Sequence, residues 1–67
     1  MKIYIVHEDA LKGSKNFREF TDEEIVKLAE SDPLLIDVYD NVENMATDWN
    51  NDNVFYPGFS YMRVIND

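Results

Sequence analysis

A chain of 67 residues without a single cysteine has to hold its fold together by packing or by association. The lack of thiols removes disulfides, zinc–thiolate sites and cysteine nucleophiles together. One histidine, His7, is too few for a histidine-based metal site within the chain, and no cofactor is expected. A domain of this length buries only about 60% of the surface its unfolded chain exposes. The material for a core is nevertheless present: 45% of residues are apolar, including four Tyr, four Phe and Trp49. That fraction is too high for a disordered acidic tail, so residues 1–67 read as one folded domain.

Fourteen acids against six bases leave a net charge of −8. Phosphates and anionic lipid surfaces would repel such a chain, which argues against direct binding to nucleic acid or membrane. A basic protein partner is favoured instead, with encounter accelerated at low salt. The longest apolar runs, such as Ile3-Tyr4-Ile5-Val6, fall far short of the roughly 20 residues that span a bilayer. The N-terminus has one Lys and no extended apolar stretch followed by small residues, so no secretory signal is read there. A cytoplasmic location is the default expectation.

Residues 2–7 are β-branched and aromatic and read as a strand. Both faces of this strand are apolar, so it should lie centrally or be covered on both sides. Residues 8–20 read mainly as loop, with a turn at Lys12-Gly13-Ser14. Thr21-Asp22-Glu23-Glu24 has the capping-box pattern, and a helix should follow to about Glu30. Ile25, Val26, Leu28 and Ala29 form its apolar face.

Ser31-Asp32-Pro33 then predicts the start of a second helix reaching Trp49 or Asn50. Leu35, Val38, Val42, Met45 and Trp49 recur at helical spacing, widened by Tyr39 and Ala46. On the opposite side of that helix lie Asp37, Asp40, Asn44 and Asp48, flanked by Glu43. After a polar stop, Val54-Phe55-Tyr56 reads as a short strand, Pro57-Gly58 as a turn, and Phe59 to Ile65 as a final strand. The fold expected is α+β: a small two- or three-stranded, mainly antiparallel sheet with the N- and C-terminal strands adjacent and two helices packed on one face. Its expected core is Ile3, Ile5, Ile25, Leu28, Leu35, Val38, Val42, Met45, Trp49, Met62 and Val64. So small a sheet would be thinly protected, which makes a homodimer a further expectation.

Candidate chemistry is sparse. Asp48-x-Asn50-x-Asp52 matches the opening of a calcium loop, but the twelfth position is Phe59, where a bidentate Glu is required. His7-Glu8 begins like a zinc-protease signature, yet Leu11 stands where the second His belongs. Asp37, Asp40 and Glu43 on an exposed face would have little to separate their pKa values, as acid–base catalysis requires. There is no glycine-rich phosphate loop and no serine elbow. The sequence therefore reads as a non-enzymatic, acidic protein-binding or self-associating module.

Two surfaces are candidates for that role. One is the acidic row Asp37, Asp40, Glu43 and Asp48, spanning about 16 Å of a helix. The other is the aromatic stretch 55–61, in which Tyr56 or Tyr61 would stand partly exposed. The acidic composition is also similar to that of DNA-mimic inhibitors of the phage or mobile-element type. A mimic that blocks a nucleic-acid-binding protein is the alternative function.

Overall fold

The structure is a computed structural model describing residues 1–13, 15–51 and 60–66. Strand β1 (Lys2–His7) is the centre of a three-stranded antiparallel sheet, with β2 (Ile36–Tyr39) on one side and β3 (Ser60–Ile65) on the other. Register places Ile3 opposite both Tyr39 and Val64, and Val6 opposite both Ile36 and Tyr61. The first and last strands are adjacent, as the sequence predicts, and the doubly apolar strand is the central one.

Helix α1 (Asp22–Ser31) starts where the capping box places it. The Glu24 amide donates to Thr21 Oγ1 at 3.2 Å and the Thr21 amide donates to Glu24 Oε1 at 2.8 Å, so two amides lacking helical partners are satisfied. Ile25 is its fully buried residue.

The long second helix is not formed. Residues 36–39 are strand β2, and helix α2 covers only Val42–Asn50. Ile36-Asp37-Val38-Tyr39 alternates as well as it spirals, and pairing with β1 buries both Ile36 and Tyr39. Backbone pairing at an open sheet edge outweighs a helical preference that these β-branched and aromatic residues hold only weakly. Asn41 then restarts the chain as an N-cap, its side-chain oxygen accepting from the Asn44 amide at 2.8 Å. The helical spacing was thus shared between two elements.

The two helices also lie on opposite faces of the sheet rather than on one. Tyr4, Val6 and Ile36 join Phe17 and Ile25 in one cluster, against which the apolar side of α1 packs. Ile3, Ile5 and Tyr39 form a second cluster, closed by Met45 and Trp49 of α2. Strand side chains alternate between faces, so a central strand that is apolar on both needs a cover on each. α2 is that second cover, and it carries the chain from β2 across β1 to β3, two strands that run parallel to each other.

The core differs from expectation accordingly. Ile3, Ile5 and Ile25 are buried, and Leu28, Leu35, Met45 and Trp49 are half-buried. Val38, Val42, Met62 and Val64 are exposed. Their places are taken by Tyr4, Val6, Phe17, Ile36 and Tyr39. Within residues 8–20, two short 3-10 turns (Glu8–Leu11 and Phe17–Glu19) bring Phe17 into the core. The predicted short strand at 54–56 and the turn at Pro57-Gly58 lie outside the described residues.

Candidate partner-binding surfaces

The residues expected to form one acidic helical face are divided among three elements. Asp37 is on β2, Asp40 is in the turn after it, and Glu43 and Asp48 are on α2. Asp40 and Glu43 are exposed, whereas Asp37 and Asp48 are half-buried and close enough to influence each other. Burial first, and the Asp48 charge second, push the Asp37 carboxyl above its usual range. Tyr39, on the same face of β2 as Asp37, donates its hydroxyl to the Asp48 carboxylate. Burial raises the Tyr39 phenol strongly, and the Asp48 hydrogen bond and both carboxylate charges reinforce the effect. The Tyr39–Asp48 hydrogen bond joins β2 to α2, against the mutual repulsion of the Asp37 and Asp48 carboxylates, so two of the four acids of the expected row belong to this join.

Tyr61 is on the other face of the sheet from Asp37 and Asp48, stacked on Phe17 with ring centres 5.0 Å apart and planes 12° from parallel. It remains 44% exposed. Tyr56, the remaining candidate, lies outside the described residues. Beside Tyr61 on β3, Arg63 places its guanidinium 5.1 Å from the Phe17 ring centre. Its Nη1 donates to Asp22 at 2.8 Å, and its Nη2 donates to the carbonyls of Phe20 at 2.9 Å and Phe17 at 3.4 Å.

That Arg63–Asp22 bridge ties β3 to the first turn of α1. A shallow groove of about 390 Å³ lies between these two elements. Val26 and Ile65 supply its apolar lining, and Asp22, Glu23, Lys27 and Glu30 its charged rim. Glu23 and Glu30 are exposed. Spacing along α1 puts Asp22, Val26 and Glu30 on one flank, four residues apart. The capping-box pattern places Asp22 and Glu23 in the first turn of α1, but nothing local in the sequence places Ile65 beside them. The one available signal was Arg63, a lone charge inside an apolar strand. Among the described residues no group of three or more His, Asp or Glu side chains could hold a metal ion. No helix among them is long and apolar enough to cross a membrane. Comparison with protein-family models, curated proteins and solved structures finds no match.

Proposed function

We propose that this chain is a non-enzymatic protein-binding module whose docking surface is the groove between α1 and β3, and whose partner is basic. The observation that carries the reading is the combination of an apolar lining, Val26 and Ile65, with a rim of three carboxylates and one amine. An apolar contact gives such a site affinity, while exposed acids select and steer a cation without the cost of burying an ion pair. The whole-chain charge of −8 adds long-range attraction of the same sign. A DNA mimic has less support, because the acidic row it would use is split between β2, a turn and α2.

The test compares affinity capture by the wild-type chain and by the Glu23→Lys/Glu30→Lys double variant, in low and high salt and with competing duplex DNA. A basic partner retained by the wild type, lost by the variant and indifferent to DNA is the expected result. Capture that survives the double substitution and is competed away by DNA would instead favour the mimic and remove the groove from consideration.

A further inference from the structure

We infer that the partner meets this groove as an amphipathic basic helix lying along α1, with two cations seven residues apart facing Glu23 and Glu30. The inference rests on the docking surface proposed above and names the form of the segment held there. Two carboxylates of α1 are already committed: Asp22 accepts from Arg63, and Glu24 accepts from Lys15. Glu23 and Glu30 are exposed, and their side chains make no hydrogen bond or ion pair among the described residues. Helical geometry puts these two within about 20° of one line on the helix surface and about 10.5 Å apart along it. Val26 stands between them, turned about 40–60° toward the sheet, where Ile65 closes the groove. Lys27 lies on the other side of that line and opposes a third cation midway. The surface is thus two negative points with an apolar floor between them.

Five of the six lining residues belong to α1, whose main-chain groups beyond the first turn are bonded within the helix. The groove therefore offers side chains and no main-chain ladder for an extended segment to join. A partner helix arrives with its own main chain satisfied and shares the rise of α1. Its residues i and i+7 match Glu23 and Glu30, while i+3 and i+4 meet Val26 and Ile65. Two helical turns, as a cylinder about 10 Å wide, occupy about 850 Å³. The groove has about 390 Å³, so apolar side chains enter it while the helix axis and the cations stay at the rim. Charge decides against a second copy of this chain as the occupant. Its α1 carries four acids against Lys27, and its α2 carries Glu43 and Asp48 without a base.

The experiment measures, by fluorescence anisotropy at low salt, the binding of three labelled alanine-based peptides about 14 residues long. The first has lysines seven apart with leucines at the two positions midway, and the second is its isomer with the lysines five apart. The third is the first peptide with one central leucine replaced by proline. The first should bind about tenfold more tightly than its isomer, which sets the second lysine on another face. Proline, which breaks the helix, should cost at least about tenfold. The Glu23→Lys/Glu30→Lys variant should bind the first peptide about tenfold more weakly, about threefold for each exposed ion pair lost. Glutamates in place of both peptide lysines should restore binding to that variant. If all three peptides bind the wild type equally and all lose affinity for the double variant, the helix is overturned and the groove stands. Binding of all three that the double variant leaves unchanged, or no binding at all, overturns both.

Discussion

Arg63 lies over the ring of Phe17 at 5.1 Å and donates a hydrogen bond to the carbonyl of the same residue, 46 positions earlier in the chain. One side chain of β3 thus holds both the ring and the backbone of a 3-10 turn that would otherwise be linked to the sheet mainly by apolar contact. The same guanidinium reaches Phe20 and Asp22, so it fixes the path by which the chain enters α1.

Replacing Arg63 with Ala should accordingly cost about 2–3 kcal/mol, since charge-assisted hydrogen bonds to partly buried carbonyls are lost together with the ring contact. Arg63→Lys should recover less than half of this, because an ammonium cannot span three acceptors in one plane. Urea unfolding of both variants checks the prediction, and equal stability of Lys and Arg at this site would refute it.

Asp37 makes stability depend on pH in an unusual direction for a carboxylate. Its proton is held more tightly in the folded chain than in the unfolded one, whose value is near 3.8. No penalty exists below that value; it grows as pH rises and is complete above the raised folded value. Asp37→Asn should therefore be more stable than the wild type at pH 7, with the advantage vanishing near pH 3. Unfolding curves across this range test it, and a pH-independent difference would contradict the assignment.

Glu24 has the opposite sign. The hydrogen bond from Lys15, at 2.7–2.8 Å, and then that from the Thr21 amide hold its carboxyl below the ordinary 4.5. Its contribution is present above that value and is lost as pH falls through the lowered folded one. Glu24→Gln should be less stable than the wild type at neutral pH and converge with it in acid. Thr21→Ala, which removes the reciprocal half of the capping box, should cost about 1 kcal/mol irrespective of Lys15. Thermal unfolding at pH 7 and pH 2.5 separates the two effects.

Ile25 is the one fully buried side chain of α1, and Leu34, in the turn that follows the helix, is 89% exposed. Ile25→Val should cost about 1 kcal/mol and Ile25→Ala about 3 kcal/mol, a large share of what so small a domain possesses. Leu34→Ala should stay within about 0.5 kcal/mol. Denaturation midpoints of the three variants provide the comparison.

Local signals in the sequence were sufficient for β1, for α1 and for β3. Thr21 and Glu24 satisfy each other's amides three residues apart, so the start of α1 is specified locally. Ile3 to Val6 are apolar on both faces, which already demands a central position. What the sequence left open was everything depending on which surfaces meet. Ile36 to Tyr39 fit a helix and a strand comparably well, and only the unpaired edge of β1 decided for the strand. Once that strand formed, the acidic row broke apart, Asp37 turned toward Asp48, and α2 crossed the opposite face from α1. The α1–β3 groove has the same origin: Val26 and Ile65 are 39 positions apart, and only packing on the shared sheet brings them to one surface. Capping and alternation act over three or four residues and can be read directly, whereas strand pairing and choice of sheet face are settled by burial across the whole chain.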